Sequence, residues 1–60
     1  MIRPTPQQIK KTRKEAGLTQ TQAGKLVNRA LSTWQAYEGG TLDCPPEIWE
    51  IFVIRLERMK

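Results

Sequence analysis

The chain has 60 residues, with ten Lys and Arg, six Asp and Glu, no His and one Cys. This length supplies one small domain, which buries only about 60% of the surface of the unfolded chain, so its core is thin. Without His the most common general base and metal ligand is missing, and the lone Cys44 excludes an intrachain disulfide and a cysteine-rich zinc site. We therefore predict no enzyme activity, no metal and no cofactor, and a reducing, cytosolic location.

The positive charge is concentrated in the first half of the chain. Residues 1–29 carry seven basic side chains and one acidic, a net +6, whereas residues 30–60 carry three basic and five acidic, a net −2. This pattern favours a polyanion as the partner, with nucleic acid the leading candidate and ordinary solubility charge the alternative. We expect no membrane association, because the longest strictly apolar run covers only residues 51–54 and residues 1–6 lack the apolar stretch of a signal peptide.

Two Thr-x-x-Gln segments predict the starts of the first two helices. Thr5 and Thr19 are the expected caps, because each hydroxyl can accept a backbone N–H bond that the following glutamine side chain reciprocates. Pro6 suits the first helical position, and Gly17 suits the residue that ends the first helix. The second helix is short and ends before Asn28, which tolerates the left-handed conformation.

Two further helices follow. A third helix is predicted over about residues 31–38 and ends at Gly39-Gly40, and a fourth is predicted over about residues 46–59, with Pro46 in its first turn. No stretch shows the alternation typical of a strand. We therefore predict an all-α fold, a single domain over residues 1–60 with four compact helices, or five if the loop contains a short helix.

A short helix, a tight turn and a second helix with small polar residues on its exposed side are typical of a helix-turn-helix. Gly24 lies in mid-helix, where it costs about 1 kcal/mol relative to Ala, so we expect the third helix to cross closely over it. Val27, Trp34 and Tyr37 are predicted to lock the two helices together. The motif is placed at about residues 19–39.

These residues resemble the Cro and phage-repressor (XRE-type) helix-turn-helix regulators over about residues 5–56. The segments that carry the resemblance are Gly17-Leu18-Thr19-Gln20, Ala23-Gly24, Leu26-Val27-Asn28, Thr33-Trp34 and Tyr37-Glu38-Gly39-Gly40. A later pair of segments, Pro45-Pro46 and Trp49-Glu50-Ile51-Phe52, is similar to small phage and prophage regulators, including anti-CRISPR-associated autorepressors. The resemblance implies a repressor that binds double-stranded DNA, regulates its own promoter and has no small-molecule effector.

The resemblance also implies roles for individual residues. Gln20 matches a position that contacts phosphate and supports the recognition helix, and Arg13 and Glu38 match a partly buried ion pair. The start and exposed face of the recognition helix match Leu31, Ser32, Thr33, Gln35 and Ala36. Ala30 stands where Ser or Thr usually caps this helix, so its start is expected to fray.

The chemistry of these side chains predicts how DNA is contacted. The predicted base contacts are Leu31, Ser32, Gln35 and Ala36, and the predicted backbone contacts are Gln20, Lys25, Arg29 and Thr33. Gln35 is the strongest candidate, because its amide can bond adenine N6 and N7 together; a plain surface glutamine is the alternative. For the Leu31 side chain, a place in the core and a place on the DNA face are equally expected.

The fourth helix has apolar residues on two sides. The side expected to pack on the domain carries Ile48, Phe52, Leu56 and Met59. Ile51 and Ile54 lie on the other side, and we predict that they meet in an antiparallel homodimer. The pairs formed across such a contact are Ile51 with Ile54, Glu47 with Arg58, and Glu50 with Arg55; a wider intrachain core is the alternative.

Two other classes of function remain open. An antitoxin-like or adaptor domain would use Ile51 and Ile54 against a different protein. A small nuclease is disfavoured, because the chain has no His and its carboxylates are scattered.

Overall fold

The computed structural model describes residues 3–59, which form four α-helices and no strand. The helices are α1 (Pro6–Glu15), α2 (Gln20–Leu26), α3 (Leu31–Gly39) and α4 (Pro46–Arg58). The all-α prediction is confirmed, and the loop at residues 41–45 contains no fifth helix. The predicted outer limits of the domain, residues 1 and 60, lie outside the described residues.

Both Thr-x-x-Gln segments form the predicted capping boxes. The Gln8 amide nitrogen donates to Thr5 Oγ1 at 3.1 Å, and the Thr5 nitrogen donates to Gln8 Oε1 at 2.9 Å. Thr19 and Gln22 repeat this arrangement at the start of α2 with the same two distances. Ala30, before α3, has the extended backbone of a cap but no side-chain acceptor, so the first turn of α3 has no such support.

The turn between α2 and α3 depends on a left-handed asparagine. Asn28 has a φ of 57°, and Gly17 after α1 has a φ of 73°, as their residue types predict. The turn brings the Arg29 amide nitrogen to 2.7 Å from the Gly24 carbonyl oxygen. The chain therefore enters α3 directly above the middle of α2.

Gly24 is needed for this turn rather than for a crossing of α3. A Cβ atom at Gly24 would lie 2.8 Å from the Arg29 carbonyl oxygen and 3.5 Å from that of Ala30. The close approach expected over Gly24 is present, but it is made by the Arg29 and Ala30 carbonyl groups that lead into α3 rather than by a turn of α3 itself.

The core is built around two fully buried aromatic rings, Trp34 of α3 and Phe52 of α4, with centroids 4.9 Å apart. The other buried apolar residues are Ile9, Ala23, Val27, Tyr37, Cys44 and Ile48. Val27, Trp34 and Tyr37 therefore join α2 to α3 as predicted. Tyr37 meets Trp34 edge to face at 6.1 Å, a favourable arrangement for two rings.

α4 packs through Ile48, Phe52 and the partly buried Leu56, as predicted. Met59 lies on the same side, where it lines an open pocket with Leu56 and with Thr12 and Ala16 at the end of α1, but it is 58% exposed rather than packed. Within residues 3–59 no helix has the length and apolar character needed to cross a membrane.

Candidate nucleic-acid interface

The exposed side of α3 carries the residues predicted to contact bases. Leu31, Ser32 and Gln35 are exposed and Ala36 is half-buried. Their spacing of one and four positions places them on one side of the helix. We call these four residues the recognition surface. Leu31 lies outside the buried core, which leaves its side chain available at this surface.

Of the predicted backbone-contacting residues, three precede the recognition surface in sequence and Thr33 lies within its range. Lys25 and Arg29 are exposed, and Arg29 donates to the Asn28 carbonyl oxygen at 3.2 Å. Thr33 and Gln20 are half-buried. Both cations thus remain open to solvent, where a phosphate group could approach them.

Gln20 and Gln35 are in direct contact. Gln35 Nε2 donates to Gln20 Oε1 at 3.3 Å, which joins the start of α2 to the middle of the recognition surface. The contact links residues 15 positions apart, so only the packing of α2 against α3 creates it.

The Glu38 carboxylate binds side chains from α1, α2 and α3. Arg13 Nε lies 2.6 Å from Glu38 Oε2, and Arg13 Nη2 lies 3.2 Å from Oε1. Gln20 Nε2 donates to Oε1 at 3.3 Å, and the Trp34 indole N–H donates to Oε2. Arg13 also donates to the Leu18 carbonyl oxygen at 2.9 Å. The structure therefore brings together the Arg13–Glu38 pair that the resemblance implied, and it adds two further donors.

The surroundings of Glu38 keep it ionised. Burial raises the pKa of this carboxyl, but hydrogen bonds from Arg13, Trp34 and Gln20 more than offset that effect and hold the pKa below its ordinary value of 4.5. Because the pKa of Glu38 is lower in the folded state, the contribution of its ionised carboxylate to the free energy of unfolding is complete above pH 4.5. It is lost as the pH falls through the lowered pKa.

Sequence reasoning missed the two added donors for different reasons. Trp34 and Glu38 are four positions apart on α3, a spacing at which helical side chains meet, so their hydrogen bond could have been found. The Gln20–Glu38 contact depends on the relative placement of two helices, and the sequence carries no local signal for it.

The predicted dimer residues Glu47, Glu50, Ile51, Ile54, Arg55 and Arg58 are all exposed on α4. Ile51 and Ile54 retain 38% and 45% of their accessible surface, which is high for large apolar side chains.

The partner of Arg55 differs from the prediction, in which Arg55 pairs with Glu50 of a second copy. Its Nη1 donates to the Leu26 carbonyl oxygen at the end of α2. The last carbonyls of a helix lack partners within it and attract cations, which explains this intrachain contact. The remaining guanidinium donors are the part of Arg55 that another group could use.

Cys44 is buried, and burial raises the pKa of its thiol, so the group is protonated and shielded. In the part of the chain that the structure describes, no three His, Cys, Asp or Glu side chains are grouped as a metal site requires.

A family model described as a helix-turn-helix domain matches residues 7–57, which include nearly all of α1, all of α2 and α3, and nearly all of α4. No curated protein matches the sequence. The matched range contains the recognition surface, Glu38 with its partners Arg13, Gln20 and Trp34, and the exposed Ile51 and Ile54 of α4.

Proposed function

The chain belongs to the helix-turn-helix domain family, and we propose that it is a sequence-specific repressor of a phage or prophage operon that acts on its own promoter. DNA-binding regulation is the function of this family. The observation that supports sequence-specific binding is the exposed Gln35 amide, which α2 holds through Gln20. The proposed role requires no catalytic group, metal or small-molecule effector.

The recognition surface suits the edge of bases in the major groove. Gln35 offers both a hydrogen-bond acceptor and a donor, which matches adenine, and Leu31 and Ala36 suit a thymine methyl group. Lys25 and Arg29 are free to approach phosphates, which position the protein but do not distinguish sequences.

Homodimer formation through α4 is the second element of the proposal. Ile51 and Ile54 expose apolar surface, Glu47 and Glu50 lie before them, and Arg55, Glu57 and Arg58 follow them on the same helix. An antiparallel contact would therefore pair Glu47 with Arg58 of the second copy on each side of the isoleucines. The Arg55 bond to Leu26 weakens the case for the Glu50–Arg55 pair but leaves the other pairs intact.

Two linked copies would bind a longer site than one domain can cover. The expected operator is an inverted repeat with half-sites about one helical turn, or about 10 bp, apart. Affinity should fall steeply as salt increases, in proportion to the phosphates that the protein neutralises.

Selection of bound sites from random DNA duplexes tests DNA recognition directly. We expect an inverted repeat, and we expect Gln35→Ala to lose discrimination at one base pair in each half-site. Gln7→Ala is the matched control, because Gln7 is exposed on α1 away from the recognition surface. No enrichment by the unaltered protein would contradict sequence-specific binding, and equal weakening of Gln35→Ala on all sequences would remove Gln35 from base recognition.

Sedimentation at micromolar concentration tests the dimer. The double variant Ile51→Lys/Ile54→Lys should sediment with the 6.9 kDa mass of one chain and the unaltered protein with twice that mass. Leu42→Lys is the control, because Leu42 is also an exposed apolar residue but lies in the α3–α4 loop. A monomeric unaltered protein that binds no DNA would favour the adaptor alternative.

A further inference from the structure

Arg55 reaches from α4 to the turn between α2 and α3. Its Nη1 donates to the carbonyl oxygen of Leu26, the last residue of α2. Arg55 follows the buried Ile48 by seven positions, or about two helical turns, so it leaves α4 close to the side that packs on the domain. The Arg55 guanidinium therefore lies beside the helix-turn-helix, although α4 is outside that motif.

A second arginine lies at the same turn. Arg29 Nη1 donates to the Asn28 carbonyl oxygen at 3.2 Å. The carbonyl carbons of residues two positions apart, such as Leu26 and Asn28, are at most about 7 Å from each other. The guanidinium groups of Arg29 and Arg55, which we call the arginine pair, are thus bound to neighbouring carbonyl groups although they come from different elements.

Neither member of the arginine pair is neutralised by a carboxylate within residues 3–59. The ion pairs in that range hold Arg3 and Arg13 instead. Arg29 and Arg55 are both exposed, and each guanidinium has five N–H donors, of which one is bound to a carbonyl oxygen. Carbonyl groups carry no net charge, so the two cations repel each other, and an anion bound between them would relieve that repulsion.

A DNA phosphate is the anion that fits this position. Arg29 precedes Leu31, the first residue of α3, by two positions, so the arginine pair lies where the recognition surface begins. The planar guanidinium can donate two parallel hydrogen bonds to the oxygens of one phosphate. On the basis of the proposed function, we propose that Arg29 and Arg55 together hold one phosphate of the DNA backbone.

This assignment gives α4 two separate roles. Ile51 and Ile54, on its outer side, stay available to a second copy, while Arg55 serves the DNA-binding motif. The bond to the Leu26 carbonyl oxygen already holds one edge of the Arg55 guanidinium near the turn. A side chain that is held in place before binding loses less freedom when the phosphate arrives.

Neutralising single phosphates tests the assignment on the duplex that the site selection provides. A methylphosphonate linkage removes the charge of one phosphate, so its effect on Kd locates each phosphate contact. For the unaltered protein, one linkage in each half-site should weaken binding by about tenfold or more. At that same linkage the loss should shrink to about threefold in both Arg29→Gln and Arg55→Gln, because the variant has already lost part of the contact.

Arg58→Gln is the matched control, because Arg58 is exposed in the last turn of α4 and carries the same charge as Arg55. It should leave the loss at every linkage unchanged, even where it weakens binding through the dimer contact. An unchanged pattern of losses in Arg55→Gln would overturn the proposal, because Arg55 would then only stabilise the end of α2. Different linkages for Arg29→Gln and Arg55→Gln would overturn the shared phosphate.

Salt dependence gives a further check on the same variants. Each contact with a phosphate releases about one counterion, so the slope of log K against log salt should fall by about one per half-site in Arg55→Gln. Arg55→Lys keeps the charge and should keep the slope, but it should bind more weakly because an ammonium lacks the planar fork. An unchanged slope in Arg55→Gln would overturn the phosphate contact.

The last measurement separates this proposal from the proposed function and requires no variant. The Nε–Hε resonances of Arg29 and Arg55 should shift together when a short duplex of mixed sequence is added at low salt, and those of Arg3, which is paired with Asp43, should stay unchanged. These shifts without selection of any sequence would overturn the proposed function and support the arginine pair. Sequence-specific binding without a shift at Arg55 would overturn the arginine pair alone.

Discussion

The contacts where α3 meets α1 and α2 differ sharply from exposed positions elsewhere on the domain. We call Arg13, Gly24 and Glu38 the junction, and we call the exposed residues Arg3, Ala30, Gly39 and Asp43 the rim. Both regions contain an Arg–carboxylate pair and a helical glycine. The Arg13 and Glu38 side chains are 11% and 5% exposed, whereas those of Arg3 and Asp43 are 64% and 80% exposed.

The comparison teaches that burial, rather than residue type, decides what each feature contributes. At the junction, removal of one partner leaves an unpaired charge that water does not solvate. An added atom there creates a clash that movement of the neighbouring groups does not relieve. At the rim water replaces a lost partner and open space accepts an added atom. Substitutions of the same kind in both regions test this difference.

The ion pairs should show the largest contrast. Arg13→Ala leaves the Glu38 charge without its main partner and should cost about 3–5 kcal/mol, comparable with the whole stability of so small a domain. Arg3→Ala should cost at most about 1 kcal/mol. Urea unfolding followed by circular dichroism at pH 7 measures both. Similar losses in the two variants would break the comparison.

The glycines should differ in the sign of the effect. Gly24→Ala places a methyl group against the Arg29 carbonyl oxygen and should destabilise the protein by about 1–3 kcal/mol. Gly39→Ala meets no atom within 4 Å and should stabilise it by about 0.5–1 kcal/mol, because Ala is the better helix former. The free energies of unfolding decide this, and a stabilised Gly24→Ala would contradict the close approach of the turn.

The helix starts should give the smallest effects. Ala30→Ser adds an acceptor to a residue that already has the backbone of a cap, with φ −67° and ψ 156°, and should stabilise the protein by about 0.5–1 kcal/mol. Thr19→Ala removes an existing cap from α2 and should cost about 1 kcal/mol. Thermal unfolding of both variants measures the contrast. A neutral Ala30→Ser would show that the start of α3 needs no side-chain cap.

Much of the fold was predictable because its signals are local. The capping boxes at Thr5 and Thr19 and the left-handed turn at Asn28 depend on residues that are neighbours in sequence. The buried side of α4 followed from helical spacing, although Met59, on the same side, stays exposed.

The candidate site was only partly predictable. Helical spacing together with the family resemblance placed Ser32 and Gln35 on one exposed face. The resemblance implied that Gln20 supports the recognition helix, but its partners Glu38 and Gln35 were not predicted, because side-chain hydrogen bonds between helices depend on positions within a fraction of an ångström. Arg55 was assigned to a second copy for the same reason, since nothing near it in the sequence indicates the Leu26 carbonyl.

The sequence by itself determined the helices, their ends and the division of charge between the two halves of the chain, since each depends on residue type and short-range spacing. Only the tertiary structure decided which groups meet: the turn over Gly24, the four donor nitrogens around the Glu38 carboxylate and the contact between Gln20 and Gln35. These contacts join residues distant in sequence, and their geometry exists only once α1, α2 and α3 have packed together.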